Sequence, residues 1–170
     1  SPKGIRVGEK TENGNSYIYS GGLTINGGKI SVRTAGTNAE GIECKNTLDI
    51  NGGEIFVDAY DDGINSGQDM TITNGYIYSR SNNNDGIDAN GDIRINGGLV
   101  YAIGSRTPEI AIDANSEEGK KVFLNGGILI SIGGIEQGAS LGKQAILCSS
   151  ICSLHSQSRP LPAHLQEVAH

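Results

Sequence analysis

Aromatic residues and cysteines, which fill or cross-link a compact core, are scarce in this chain. Its 170 residues include no Trp, two Phe and six Tyr, so aromatic residues make up 5% of a sequence that is 36% hydrophobic. The three cysteines, Cys44, Cys148 and Cys152, are too few for a disulfide framework, and Cys148 and Cys152 lack the spacing of a zinc CxxC pair. We therefore expect a core built by repetition of small aliphatic units instead of a compact two-layer core.

Positive charge and long apolar runs are also scarce. The 13 Lys and Arg residues are outnumbered by 19 Asp and Glu, which gives a formal net charge of -6. This balance argues against nucleic acid as a partner, because phosphates favour a basic surface, and it favours cations and neutral or metal-bridged ligands. The longest apolar runs are only a few residues, so we expect no membrane insertion.

Glycine, in contrast, is abundant, with 26 residues, and much of it belongs to an internal repeat. A degenerate copy at Thr73-Asn74-Gly75 lies among four copies of Asn-Gly-Gly, which begin at Asn26, Asn51, Asn96 and Asn125. We interpret the second glycines as turn residues with positive φ and the asparagines as a stacked amide ladder. A phosphate-binding loop is not expected, because the motif leads into a strand and not into a helix.

Aliphatic residues fall into columns when the sequence is aligned on this repeat. Two columns, two residues apart, precede the glycine turn, and two more follow it, which predicts one strand on each side of the turn. A fifth column predicts a third short strand. The columns are Leu23, Leu48, Met70, Ile93 and Val122; Ile25, Ile50, Ile72, Ile95 and Leu124; Ile30, Ile55, Ile77, Val100 and Leu129; Val32, Val57, Ser79, Ala102 and Ser131; and Ile5, Ile42, Ile64, Ile87 and Ile112.

Three strands in each repeat of 22–29 residues predict an all-β fold, a right-handed single-stranded parallel β-helix of about five to six coils. A propeller blade would need roughly 40 to 50 residues, and the frame of a leucine-rich repeat is absent. The repeats define a domain at residues 1–142. Residues 143–170 lose both the glycine turns and the alternation, and we expect a cap, a disordered end or sequence foreign to the domain.

Oxygen-bearing residues flank the isoleucine of the third strand. The motif reads Glu40-Gly-Ile-Glu43, Asp62-Gly-Ile-Asn65, Asp85-Gly-Ile-Asp88 and Ile110-Ala-Ile-Asp113. Carboxylates about 5 Å apart repel by roughly 0.8 kcal/mol even in water, so a counter-ion is expected. Calcium suits the pattern, because its oxygen ligands lie at about 2.3 to 2.6 Å and one ion can bridge strands about 4.8 Å apart.

The candidate metal ligands are Glu40, Glu43, Asp61, Asp62, Asn65, Asp85, Asp88 and Asp113. The alternative is that these side chains are solvated turn residues that hydrogen-bond to the backbone. No EF-hand loop is present. In the first repeat Lys3 and Arg6 replace the acidic columns, so ions are expected only in the middle repeats.

Aromatic and charged residues occupy the outward positions of the second strand. Rings form one column, and a neighbouring column places Asp58 between two arginines. Ring faces stack on sugar rings and Arg binds carboxylates, which predicts a carbohydrate-binding surface. An aromatic stack beside a cross-strand charge ladder, with no ligand, is the alternative. The candidate carbohydrate-binding residues are Phe56, Tyr76, Tyr78, Tyr101, Arg33 and Arg80.

The motifs resemble those of a family of secreted bacterial carbohydrate-binding β-helix proteins. The similarity covers about residues 3–142 and rests on Glu40-Gly-Ile-Glu43, Leu48-Asp-Ile-Asn-Gly-Gly-Glu-Ile, Asp61-Asp-Gly-Ile-Asn65 and Asp85-Gly-Ile-Asp-Ala-Asn90. The resemblance implies a parallel β-helix, bound calcium, affinity for acidic pectin such as polygalacturonate, and a secreted or cell-surface location. It maps the family's acidic positions onto Glu40, Glu43, Asp61, Asp62, Asp85, Asp88 and Asp113.

The sequence therefore favours a non-catalytic, calcium-dependent protein that binds an acidic polysaccharide. A calcium-assisted polysaccharide lyase is the enzymatic alternative, and it would need an Arg or Lys near the metal to remove the proton alpha to the uronate carboxyl. Lys45 has no repeated partner, and Arg33 and Arg80 lie on another strand from the acidic columns. A structural stalk or adhesin is the third hypothesis, and it predicts no glycan affinity. The oligomeric state is not indicated.

Overall fold

A computed structural model describes residues 2–150, and its regular structure is β-strand apart from one 3-10 turn at Ser116–Glu118. Residues 2–150 include no helix that could span a bilayer. The strands are β1 (Ile5–Val7), β2 (Glu9–Asn13), β3 (Ser16–Ser20), β4 (Leu23–Ile25), β5 (Lys29–Arg33), β6 (Ile42–Cys44), β7 (Leu48–Ile50), β8 (Glu54–Ala59), β9 (Ile64–Ser66), β10 (Met70–Ile72), β11 (Tyr76–Ser81), β12 (Ile87–Ala89), β13 (Ile93–Ile95), β14 (Leu99–Ile103), β15 (Ile112–Ala114), β16 (Val122–Ile132) and β17 (Ala139–Ser150).

The strands belong to three sheets. Five short strands form a parallel sheet in the order β1, β6, β9, β12 and β15. Ten strands form a curled parallel half-barrel in the order β4, β7, β10, β13, β16, β14, β11, β8 and β5, with β17 paired to β16. The strands β2 and β3 form a separate antiparallel hairpin.

The aliphatic columns predicted from the repeat are confirmed by the strand register. Leu48, for example, pairs with Leu23 on one side and Met70 on the other, and Ile64 pairs with Ile42 and Ile87. Most of these side chains are fully buried and form one continuous core. Burial of apolar surface is the main stabilising term in folding, so this core holds the sheets together.

The right-handed single-stranded parallel β-helix predicted from the repeat is wrong, whereas the all-β class is confirmed. The two rows of strands that flank the Asn-Gly-Gly turn do not form separate faces of a coil but join in one curled ten-stranded sheet. The reason lies in β16, which continues for 11 residues through Asn125-Gly126-Gly127, where the earlier repeats break into two strands. Its first part pairs with β13 and its second part with β14, so one strand links both rows. The antiparallel hairpin is a second departure from a repeat of parallel strands.

The glycine turns have the predicted geometry, whereas the amide ladder is present as two separate pairs, because Asn74 accepts a hydrogen bond from the N–H of Gly75. Gly53 has a φ of +107°, and a Cβ at this position would lie 2.9 Å from the backbone carbonyl oxygen of Gly28. The side-chain amide of Asn51 donates a hydrogen bond to Asn26 Oδ1 at 2.8 Å, and Asn125 donates to Asn96 at the same distance. These contacts fix where each strand after the turn begins.

The domain boundary between residues 142 and 143 stays a prediction. The strand β17 runs across it and pairs with β16 as far as Ser150. Residues 151–170, which include Cys152 and the three histidines, lie outside the described residues.

Candidate functional site

The predicted carbohydrate-binding residues lie together on the outer surface of the half-barrel, and we call this surface the aromatic face: Phe56, Tyr76, Tyr78, Tyr101, Arg33 and Arg80. In-register pairing of β8, β11 and β14 places Phe56, Tyr78 and Tyr101 at equivalent positions. The rings of Tyr78 and Tyr101 stack with centroids 5.6 Å apart and planes at 15°. The Phe56 ring lies 5.4 Å from Tyr76 and 6.4 Å from Tyr78. The result is a row of rings that follows the stacking of the strands.

Charged side chains border the row of rings. Asp58 Oδ2 lies 3.2 Å from Arg33 Nη2, and Asp58 Oδ1 accepts a hydrogen bond from Asn82 at 3.0 Å. Arg80 Nη1 lies 4.0 Å from Asp58 Oδ1, so the charge ladder of the alternative interpretation is present. Since Arg80 has this single long ion pair within residues 2–150, most of its five N–H donors remain available to a ligand.

Two clefts meet at Arg80. A groove of about 340 Å³ brings Arg33, Phe56 and Tyr78 together with Arg80. A larger cleft of about 730 Å³ continues from Arg80 to Arg106 and is also lined by Glu109. Arg106 was not predicted from the sequence, because it lies in a loop outside the repeated columns. The aromatic face therefore extends into a cleft with a second arginine.

The predicted metal ligands lie along the five-stranded sheet and the turns that precede its strands, and we call them, with Glu136, the acidic column. Parallel pairing places four of them at equivalent positions of successive strands: Glu43, Asn65, Asp88 and Asp113. Glu136 was not predicted from the sequence either, because it lies in the irregular segment between β16 and β17.

Several members of the acidic column hydrogen-bond to the next repeat. Asp62 Oδ1 accepts the backbone N–H of Asp85 at 3.2 Å, and Asp85 Oδ1 accepts that of Ile110 at 2.6 Å. Asn65 Nδ2 donates to Asp62 at 3.0 Å and to Asp88 Oδ2 at 2.7 Å. The backbone bonding that the turn interpretation expects is therefore present, alongside the predicted stacking of carboxylates.

Cations neutralise the end of the acidic column nearest the first repeat. Lys3 Nζ lies 3.1 Å from Glu40, Arg6 Nε lies 3.2 Å from Glu43, and Lys45 also pairs with Glu43. Burial raises the pKa of Glu40 to about 7. Burial also acts to raise the pKa of Glu43, but hydrogen bonds from Lys45 and Glu40 outweigh it and lower the pKa. One oxygen of each carboxylate, Oε2, is buried without a hydrogen bond. Arg6 approaches Glu43 Oε2 without hydrogen-bond alignment, and Lys3 pairs with the other oxygen of Glu40.

The middle of the acidic column has no such cation. Within the described range, no Lys or Arg forms an ion pair with Asp62, Asp85, Asp88 or Asp113. Burial raises the pKa of Asp62 to about 6, of Asp85 to about 7 and of Asp88 to about 8, and nearby carboxylates raise those of Asp85 and Asp88 further. Burial and the hydrogen bond with Glu136 raise the pKa of Asp113 to about 7. At neutral pH a bound proton or cation would therefore stabilise Asp85, Asp88 and Asp113.

The arrangement is a column of oxygens and not a closed metal cage. Within residues 2–150, no three or more His, Cys, Asp or Glu side chains form a group that could hold a metal ion. Asp61 lies beside Asp62 and repels its negative charge. The donor atoms are nevertheless carboxylate and amide oxygens, which are the ligand types that calcium prefers. The chemistry fits calcium, whereas a preformed cage with several carboxylates around one point is absent from this part of the chain.

The model of a family described as "Carbohydrate-binding domain-containing protein" matches residues 9–86. The matched segment contains β2 to β11 and therefore includes Phe56, Tyr76 and Tyr78 with both predicted arginines. Comparisons with curated proteins and with solved structures give no match. The family match supports carbohydrate binding by this chain.

Proposed function

We propose that this chain is a non-catalytic protein that binds an acidic polysaccharide on the aromatic face. The observation that carries the proposal is the row of Phe56, Tyr78 and Tyr101 beside Arg80. Ring faces can cover the C–H surfaces of successive sugar rings, while the free guanidinium donors of Arg80 bind a carboxylate. The family match at residues 9–86 supports the carbohydrate part of the proposal.

Calcium is the cofactor in this proposal. Neighbouring pairs among Asp85, Asp88 and Asp113 would hold it, because these carboxylates have no Lys or Arg ion pair in the described part of the chain and no three of them surround one point. Bound calcium would supply the positive charge that keeps these groups ionised at neutral pH. Since calcium takes 6–8 oxygen ligands, water would complete its shell. A secreted or bacterial cell-surface location belongs to the same proposal, because it exposes the protein to such polymers.

Affinity gel electrophoresis tests the ligand and the surface together. The wild-type chain should be retarded in native gels that contain polygalacturonate, more strongly with calcium than with EDTA. The double variant Tyr78→Ala and Tyr101→Ala should have the same mobility in gels with polygalacturonate as in gels without it. Tyr60→Ala is the matched control, because Tyr60 lies beyond the end of β8 and outside the row of rings.

Three outcomes would contradict the proposal. Retardation of the Tyr78→Ala and Tyr101→Ala variant equal to that of the wild type would exclude the aromatic face. An increase in ultraviolet absorbance from an unsaturated uronate product would show a lyase. A wild-type chain that is not retarded by polygalacturonate in either buffer would favour a structural stalk.

A further inference from the structure

The hairpin β2–β3 lies outside the aliphatic core and carries two of the six tyrosines of the chain. Every residue of β2 is exposed, and only Tyr19 of β3 is half-buried. Tyr17 is 51% exposed and Ile18 is 53% exposed. Neighbouring exposed rings such as Tyr17 and Tyr19, in contrast to single scattered apolar residues, mark a candidate binding surface.

A cation holds the two rings in place. Tyr17 and Tyr19 are two residues apart and therefore lie on the same face of β3. Their centroids are 6.4 Å apart, with planes at 53°. Lys10 Nζ lies 4.2 Å from the centroid of Tyr17 and 5.5 Å from that of Tyr19. These cation–π contacts preorganise the rings, which lowers the entropy cost of binding a ligand.

The rings line a cleft of about 270 Å³ between the hairpin and the five-stranded sheet. Side-chain amides line the cleft as well, from Gln68 after β9, Asn90 after β12 and Asn115 after β15. The Gln68 amide donates to the carbonyl of Gly67 at 2.7 Å, which leaves its oxygen as an acceptor. The side-chain amides of Asn90 and Asn115 have no hydrogen-bond partner in the described part of the chain. The cleft therefore offers both donors and acceptors beside two rings.

The charges in the cleft do not select an anion. Glu118 and Lys120 also line it, so both signs are present in addition to the Lys10 ammonium that lies over the rings. Rings together with uncharged amides suit a ligand with apolar C–H faces and hydroxyl groups. A neutral sugar has this chemistry. The volume is slightly below the roughly 300 Å³ at which small-ligand sites begin, so it suits a short stretch of sugar rings.

We propose that this cleft, the hairpin cleft, is a second carbohydrate subsite that binds neutral sugar units. The proposal deepens the proposed function and rests on it, but it assigns a different ligand class to a different surface. The family match begins at Glu9, the first residue of β2, so the hairpin lies within the segment that is matched to a carbohydrate-binding family. This match is independent of the cleft geometry.

Native affinity gels that contain hydroxyethylcellulose, xyloglucan or galactomannan test the proposal. The wild-type chain should be retarded by at least one of these neutral polymers. The double variant Tyr17→Ala and Tyr19→Ala should bind that polymer roughly tenfold more weakly, because ring stacking is lost. Ile18→Ala is the matched control, because Ile18 is equally exposed but lies on the opposite face of β3. Far-ultraviolet circular dichroism checks that each variant is folded, and Asn90→Ala with Asn115→Ala tests the other wall of the cleft.

The same gels separate this proposal from the proposed function. The variant Tyr78→Ala and Tyr101→Ala should lose retardation by polygalacturonate and keep that by the neutral polymer. A wild-type chain that no neutral polymer retards would overturn the subsite. Unchanged retardation of the Tyr17→Ala and Tyr19→Ala variant by the neutral polymer would overturn it too. Absence of polygalacturonate binding alone would remove only the function assigned to the aromatic face.

Discussion

Asp88 has the highest pKa in the acidic column, which makes Asp88→Asn the sharpest test of uncompensated charge there. The substitution removes the negative charge and nearly preserves the shape of the side chain. Asn65 Nδ2 donates to Asp88 Oδ2 at 2.7 Å, and the amide oxygen of the variant can accept the same hydrogen bond. Any change in stability can therefore be assigned mainly to the charge.

The sign and size of the effect follow from the pKa. Burial first, and then the carboxylates of Asp62 and Asp113, raise the pKa of Asp88 from 3.8 to about 8. Between these values the folded chain binds more protons than the unfolded chain, so the free energy of unfolding falls as pH rises through this window. At about 1.4 kcal/mol for each pH unit the loss is at most roughly 6 kcal/mol. Solvent reaches this half-buried group, so we expect a loss of about 2 kcal/mol.

Urea unfolding of EDTA-treated protein measures this loss. The wild-type chain should be less stable at pH 8.5 than at pH 5, and Asp88→Asn should reduce the difference by about 2 kcal/mol. Asp49→Asn is the control, because Asp49 lies on β7, outside the acidic column, and is also half-buried. The control should keep the pH dependence of the wild type.

This reasoning would be refuted if the free energy of unfolding fell equally between pH 5 and pH 8.5 in the wild type and in Asp88→Asn. Such a result would mean that the charge of Asp88 is already compensated in the folded chain. The middle of the acidic column would then need no bound cation.

The remaining predictions concern the ion, the core and the turns. At pH 8.5 calcium should raise the melting temperature of the wild type, by an amount equivalent to about 2.7 kcal/mol when its concentration is one hundred times its Kd. The melting temperature of Asp88→Asn should rise less, and equal shifts would place the ion elsewhere. Ile64→Ala should lower the free energy of unfolding in urea by about 3 kcal/mol, because Ile64 is fully buried. The exposed control Ile18→Ala should lower it by less than about 0.5 kcal/mol, and similar losses would contradict the assigned core. Gly63→Ala should cost about 2 kcal/mol or more by the same measurement, because its Cβ would overlap with Ser79 Oγ and with the carbonyl oxygen of Gly86 in the next repeat. Gly52→Ala is its control, with a nearest contact of 3.5 Å, and an equal cost there would contradict the steric argument.

Much of the candidate site could be predicted because it repeats. The columns that contain Tyr78 and Asp88 were assigned from spacing alone, and the register places both side chains as expected. Arg106 and the hairpin tyrosines were missed, because they lie in segments without a counterpart in other repeats. Whether Asp88 binds calcium and Tyr78 binds sugar stays a prediction.

The sequence by itself determined the all-β class, the parallel register and the buried columns, because a period of two and a recurring glycine turn decide which side chains face inward. It did not determine how the rows of strands join, and the predicted right-handed β-helix was wrong for this reason. The chain stays extended through Asn125-Gly126-Gly127, although earlier copies of the same motif form a break between strands. Glycine permits either conformation, so the pairing of β16 with β13, β14 and β17 decided between them. Tertiary structure also decided which carboxylates lie near Lys3, Arg6 and Lys45, since charge compensation depends on distances between residues that are far apart in the sequence.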